Sequence, residues 1–188
     1  MKTMRILIPL AEGFEEMEAV IIVDMLRRCG ADVTSAAIAP ARETRGSRGI
    51  TILADALWQD LDLATFDALV IPGGLGGVEK IRADGRVAKL AKDFNARGKL
   101  VAAVCAAPLV LLDAGLLRGG VGFTCHPSVA DKFNQGEYLP YLAVREENII
   151  TGKGPGVTFE FALAIARHLF GEETAQRVGT AACVKPPF

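Results

Sequence analysis

Histidine is nearly absent from this 188-residue chain, which has two, and its four cysteines, Cys29, Cys105, Cys125 and Cys183, include no Cys-x-x-Cys pair. That scatter offers neither the ligand spacing of a metal site nor a disulfide framework, so no metal is expected and free thiols in a reducing cytoplasm are. Charge of one sign is missing too: 21 basic side chains against 22 acidic ones leave a formal charge of -1. There is no basic footprint for nucleic acid and no polybasic segment for an anionic membrane surface, which leaves a small-molecule or protein substrate. No uncharged apolar run approaches the roughly 18 residues that cross a bilayer. The stretch from Met1 to Leu10 carries Lys2 and Arg5, but its apolar part stops at Glu12 without a cleavage pattern, so it is expected to be the first core strand. Gly-x-Gly-x-x-Gly and the lysine with Ser/Thr of a P-loop are also lacking, which excludes a nucleotide loop. No repeat, linker or low-complexity segment divides the chain. A hydrophobic content of 51% is enough for one soluble globular domain over residues 1–188.

What is present is an alternation of short apolar runs and helical patterns. Met4 to Pro9 and Val33 to Ile38 read as strands around a helix from Glu15 to Cys29 that Gly30 ends, with acidic residues early and Arg27 and Arg28 late, as the helix dipole favours. A polar stretch from Ala41 to Gly49 leads to Ile50–Leu53, a short strand or hairpin beside the main sheet. Phe66 to Pro72 is a buried strand running into Gly73-Gly74-Leu75-Gly76-Gly77, expected to be a tight loop. A helix follows from Asp84 to Arg97, then a strand ending at Cys105 and a helix start from Pro108 to Asp113. Gly119–Thr124 and Ile149–Gly152 are further short strands, and Val157–Phe170 is an amphipathic helix. The alternation predicts an α/β doubly wound, mainly parallel sheet with helices on both faces and ligands at the carboxyl ends of the strands.

Three polar residues stand out against this frame. Cys105 ends the run Leu100-Val101-Ala102-Ala103-Val104, and the small residues around it match the strained small-x-nucleophile-x-small elbow of α/β hydrolases. There a sulfur meets unpaired N–H groups at a helix N-terminus, which favours thiolate; the competing reading is a small buried hydrophobe. Glu18 shares a helix face with Phe14, Ile21, Ile22, Met25 and Cys29, where desolvation and a neighbouring thiolate would keep it protonated. Equally, it belongs with Glu15 and Glu16 as first-turn dipole compensation, and periodicity leaves both readings open. His126 follows a short strand in a loop that the topology could bring to the Cys105 edge, whereas His168 lies in the late helix as a structural or exposed residue. The glycines after Pro72 would let backbone N–H groups reach a developing oxyanion, and they would equally suit an ordinary turn.

Gly13-Phe14-Glu15-Glu16-Met17-Glu18, Val70-Ile71-Pro72-Gly73-Gly74, Val104-Cys105-Ala106-Ala107-Pro108, His126-Pro127 and Gly154-Pro155-Gly156-Val157-Thr158-Phe159-Glu160 together resemble the ThiJ/PfpI superfamily. Within it the chain is most similar to the Parkinsonism-associated DJ-one branch, bacterial homologues included. The resemblance implies a flavodoxin-like homodimer in which a reactive cysteine pairs with a protonated glutamate. Cys105 takes the nucleophile position, Glu18 the glutamate position and His126 that of the pocket histidine. Gly73 and Gly74 with the amide of Ala106 would line the oxyanion pocket, and Arg28 and Arg48 would border it near the dimer interface, solvated surface positions being the alternative for both. The protease-like branch has a histidine directly after the nucleophile, where this chain has Ala106, and the late His-x-Glu of glutamine amidotransferases is missing. Cys125 stands where relatives often carry a hydroxyl, and Lys153 where arginine is common.

Two activities follow as expectations. One is a cofactor-independent glyoxalase or deglycase acting on methylglyoxal, a small dicarbonyl, or on its early adducts on glycated protein, through a Cys105 hemithioacetal. The other is a redox sensor or chaperone in which Cys105 climbs to sulfinic acid beside Glu18.

Overall fold

A computed structural model of the chain describes residues 3–184; residues 1–2 and 185–188, the ends of the expected domain, lie outside the described residues. The first strand, β1 (Arg5–Leu10), is buried along almost its whole length, and α1 (Glu16–Arg28) returns the chain to β2 (Asp32–Ala37), which pairs parallel with β1. β3 (Glu43–Arg45) and β4 (Thr51–Leu53) form an antiparallel hairpin beside the sheet, as the Ile50–Leu53 pattern suggested. β5 (Ala56–Leu57) closes one sheet edge. β6 (Ala68–Ile71) then leads into α2 (Leu75–Asp84) and α3 (Arg86–Ala96), and β7 (Leu100–Val104) into α4 (Pro108–Asp113). Two-residue strands β8 (Gly122–Phe123) and β9 (Glu137–Tyr138) pair apart from the main sheet. β10 (Ala143–Glu146) and β11 (Ile149–Gly152) make a hairpin that adds the other edge, and α5 (Thr158–Phe170) and α6 (Glu172–Ala181) complete the chain.

The seven-stranded sheet runs β10-β11-β7-β6-β1-β2-β5, parallel except for β10. Its central five strands, β2-β1-β6-β7-β11, follow the flavodoxin-like order, whose ligand crevice opens where the order reverses, beside β1. Alternate side chains point to opposite faces: Leu7, Leu69, Ile71, Val101 and Ala103 pack with residues of α2, α3 and α4. Ile6, Ile8, Val70, Ala102 and Val104 pack with α1 and α5. Both faces are covered, which is why these strands read as continuous apolar runs.

Three expectations are corrected. The five-residue stretch from Gly73 to Gly77 is not all loop, because α2 begins at Leu75. Gly77 is glycine for packing, not for turning: a Cβ there would come within 2.7 Å of the Phe14 nitrogen. The helix expected over Asp84–Arg97 starts at Arg86, since Gly85, at φ +74°, ends α2 and the Asp84 carboxylate accepts the Arg86 N–H at the start of the next helix. The strand expected over Gly119–Thr124 shrinks to Gly122–Phe123.

Candidate active site

β7 delivers Cys105. The strand ends at Val104, and Cys105 takes φ +64°, in the left-handed region that costs a non-glycine residue on the order of 1 kcal/mol or more. The turn is held from two sides: the Cys105 N–H donates to Gly152 O at 2.9 Å, and Cys105 O accepts the His126 N–H at 2.8 Å. Ala103, Ala106 and Ala107 are buried around it, and Pro108, whose missing N–H costs nothing in the first helical turn, starts α4. The amides of Gly74 and Ala106 both hydrogen-bond the Cys105 sulfur. Cys105 therefore sits on a strained elbow, 9% exposed, with two donors aimed at its sulfur.

Glu18 comes from the first turns of α1. Glu15 caps that helix, its side chain accepting the Glu18 N–H at 2.7 Å. The Glu18 carboxyl is 0% exposed; its Oε2 accepts the Gly73 N–H at 2.6 Å. Oε1 is buried with no hydrogen-bond partner among the described residues, and the Glu18 carboxyl as a whole interacts with the Cys105 thiol. Burial pushes the Glu18 carboxyl up to about 7 against the pull of the Gly73 amide. With Glu18 ionised, burial first and then the carboxylate's charge push the Cys105 thiol up to about 12. A proton on Glu18 removes that repulsion and leaves the Gly74 and Ala106 amides to favour a thiolate at Cys105.

Gly73 has to be glycine because a Cβ would fall 2.6 Å from the Cys105 Cβ and 2.7 Å from Glu18 Oε2. Gly74, at φ +86°, would drive a Cβ into the backbone of Phe14 and Glu15. The two glycines divide their roles: Gly74 presents its N–H to the sulfur, whereas Gly73 directs its own to Glu18. His126, half-buried, is tied through its backbone N–H to the Cys105 carbonyl, and its ring lies against Gly154.

The two arginines are placed differently. Arg48 is at the tip of the β3–β4 hairpin, next to the N-terminus of α1, where its backbone N–H donates to Glu16 Oε1 at 2.6 Å. Arg28 is in the last turn of α1, ion-paired to Asp24 at 2.6 Å, about 15 Å along the helix from Glu18, so within one chain it is not brought to Cys105. The residue that sequence reasoning passed over is Glu16. It is 4% exposed and gathers the Arg48 and Ile50 N–H groups and the Ser47 hydroxyl, which holds its carboxyl below the usual range despite burial. As one acidic residue among three at a helix start, it carried no signal distinguishing it from Glu15.

The other thiols lack such a setting. Burial alone pushes Cys125 up to about 11; it lies in the core beside α4 with Ala106 and Ala107. Cys29 is likewise raised by burial, and Cys183 is exposed near the end of the chain. Lys153 donates its backbone N–H to Leu142 O, and nothing in its surroundings assigns its side chain a role. Among the described residues, no three His, Cys, Asp or Glu side chains come together as a metal site.

Comparison with known proteins follows the same outline. Residues 4–168 match the model of the DJ-1/PfpI family. Over 178 residues the chain is 39% identical to the Parkinson disease protein 7 homolog of Danio rerio, covering 93% of this chain and 94% of that protein. It is 37% identical over 174 residues to the glutathione-independent glyoxalase DJR-1.2 of Caenorhabditis elegans, covering 92% and 91% of the two chains. Protein DJ-1 homologs B and A of Arabidopsis thaliana share 35% and 34% identity, but the matched region spans only 42% and 46% of their lengths. Among solved structures, oxidized DJ-1 of Toxoplasma gondii superposes with a TM-score of 0.92 at 34% identity, over 98% of this chain and all of that one.

Proposed function

The chain belongs to the DJ-1/PfpI family, and from that premise we propose that it is a cofactor-independent, glutathione-independent glyoxalase or deglycase acting on methylglyoxal or its early glycation adducts. The observation that carries the reading is the buried Glu18 carboxyl, raised to about 7, against a Cys105 sulfur that two backbone amides already stabilise. The Cys105 thiolate adds to the aldehyde carbon, and the new alkoxide takes the Glu18 proton, giving a hemithioacetal. Glu18, now a carboxylate, removes the hydrogen from that carbon and returns it to the neighbouring carbon, while the hydroxyl proton of the first passes to the oxygen of the second. The product is a lactoyl thioester on Cys105. Glu18 then takes a proton from water, hydroxide adds to the thioester, and thiolate leaves, releasing lactic acid, which gives its proton to solvent as lactate, with Glu18 reprotonated. A carboxyl titrating near neutral pH suits both directions of this transfer. Gly74 and Ala106 line the oxyanion pocket, Gly73 keeps Glu18 in place, and His126 assists at its rim.

The test is lactate formation from methylglyoxal without glutathione, for the parent protein, Cys105→Ser and Glu18→Gln. Turnover is expected in the parent and should drop by at least about 100-fold in each variant. Full turnover by Cys105→Ala would sink the mechanism.

A second reading rests on the same sulfur. Burial raises all three buried thiols, and with Glu18 ionised Cys105 is pushed up to about 12; once Glu18 holds its proton, Cys105 alone among them keeps two backbone amides that favour thiolate, so peroxide should oxidise Cys105 selectively to sulfinic acid, as a redox sensor or chaperone requires. Peptide mapping after peroxide treatment should find two added oxygens on Cys105 and little on Cys29 or Cys183.

We also propose a homodimer. Met17 and Val20 on the outer side of α1 and Ile50 and Leu53 on the hairpin are each more than half exposed, and Val20 and Leu53 line a cleft of about 250 Å³. An exposed apolar face of this kind is suited to burial against its own copy across a two-fold axis. Arg28, remote from Cys105 in its own chain, would then border the pocket of the other protomer beside Arg48. No helix among the described residues is long and apolar enough to cross a membrane, and a thiolate enzyme suits the reducing cytoplasm.

A further inference from the structure

His126 begins the 3-10 turn Pro127–Lys132 and caps it with its own ring. The Ser128 N–H donates to His126 Nδ1 at 3.2 Å, and Ser128 Oγ lies 2.7 Å from the same nitrogen. A backbone N–H can only donate, so Nδ1 carries a lone pair, and in the neutral ring the proton sits on Nε2. The hydroxyl rotates to donate to that lone pair as well. On the opposite edge, Cδ2, the ring carbon bonded to Nε2, faces Gly154, where a Cβ would stand 3.2 Å away. Gly154 is two residues beyond Gly152, whose carbonyl accepts the Cys105 N–H. Nε2 itself has no protein hydrogen bond among the described residues, so its hydrogen is free for a ligand oxygen.

We propose that Ser128 is a positioning residue that fixes the tautomer of His126, so that the histidine meets the substrate as an Nε2–H donor and not as a proton acceptor. The inference rests on the glyoxalase reading above and assigns His126 its part in it. Glu18 alone carries the mobile proton between the two carbons. His126 holds a hydrogen bond to the oxygen on the second carbon, where negative charge gathers as the first carbon gives up its hydrogen, and it neither gains nor loses a proton over the cycle. The small pocket at Gly154 is part of the same device, since a side chain there would press on the donor edge of the ring.

Long-range proton–nitrogen NMR of the reduced protein tests this directly, because the chain has two histidines and His168→Gln leaves His126 as the single signal. The Nε2–H tautomer is expected for His126 in the parent. In Ser128→Ala a fraction of the Nδ1–H form should appear, and kcat for methylglyoxal should fall about fivefold with KM unchanged, the scale of one hydrogen bond. Ser128→Thr, which keeps the hydroxyl, should restore both. An Nδ1–H tautomer in the parent, or a parental kcat in Ser128→Ala, overturns the proposal. A parent protein that produces no lactate but holds Nε2–H, with the ratio shifting in Ser128→Ala, would defeat the glyoxalase reading and uphold the control of the ring by Ser128.

Discussion

A buried carboxyl that holds its proton makes folding sensitive to pH in a direction opposite to most acidic residues. Glu18 titrates at 4.5 in an unfolded chain and at about 7 here, so above 4.5 the unfolded state releases a proton that the folded state keeps. Its contribution to stability is present in full below 4.5 and is lost as the pH rises through 7, a change on the order of 3 kcal/mol. Urea melts between pH 4.5 and 8 should show this decline in the parent and its absence in Glu18→Gln, whose amide does not titrate. Gly73→Ala tests the closeness of the pair: its Cβ would lie 2.6 Å from the Cys105 Cβ, so we expect a loss of about 2 kcal/mol in the same melts, together with loss of lactate production. Cys105 was legible because a nucleophile at the end of an apolar run, with Ala103 and Ala107 two positions to either side, has a distinctive pattern. For Glu18 the helix face placed it among apolar neighbours, but only the fold, by covering that face and aiming Gly73 at it, separates it from Glu15 and Glu16. Ser128 left a faint trace, a hydroxyl residue two positions after a histidine, and its meaning depends on a distance.

Among the elements, the β3–β4 hairpin shows how a structure hides its anchor from sequence. Its strands were readable from Ile50–Leu53, yet what holds the turn is Glu16 on a different element, collecting donors more than thirty residues away in the chain. Glu16→Ala removes that acceptor from two backbone N–H groups and a hydroxyl at once, a cost of about 2 kcal/mol. Amide exchange should quicken at Arg48 and Ile50 while β1 and β7 keep their protection; unchanged exchange at the tip would mean that the hairpin stands without Glu16. The glycines after Pro72 misled in the opposite way. Turn propensity made them a loop, whereas Leu75, Gly76 and Gly77 open α2, a helix the sequence reading did not expect, with Gly77 packed against the Gly13–Phe14 backbone. The final helix, Glu172–Ala181, has only Ala175, Val178 and Gly179 buried, too thin a stripe for periodicity to register. The antiparallel β10 was missed because its pairing depends on Glu147 adopting φ +51°, a conformation for which glutamate carries no signal.

At the scale of the whole molecule the parallel sheet was readable from its alternating apolar runs, and the placement of Gly73 and Cys105 at the carboxyl ends of β6 and β7 and of Glu18 just past β1 follows from that order. Association lies beyond any one-chain pattern, since Met17, Val20, Ile50 and Leu53 come from separate elements that meet only on the folded surface. Val20→Glu should shift the sedimentation of the protein from dimer to monomer; a dimer that survives both this change and Leu53→Glu would put the interface elsewhere. Assembly also bears on the proposed Cys105 thiolate. The groups that create it arrive from remote parts of the chain, with Gly73 lying 55 residues from Glu18 and Cys105 further still. No local fragment of the chain can make an acidic thiol. Alkylation of Cys105 near neutral pH is thus a stopwatch for the last step of refolding: labelling of Cys29 and Cys125 should fall as the core closes, and only afterwards should Cys105 become the fast-reacting sulfur, a label that turns on with the native state where ordinary buried cysteines turn off.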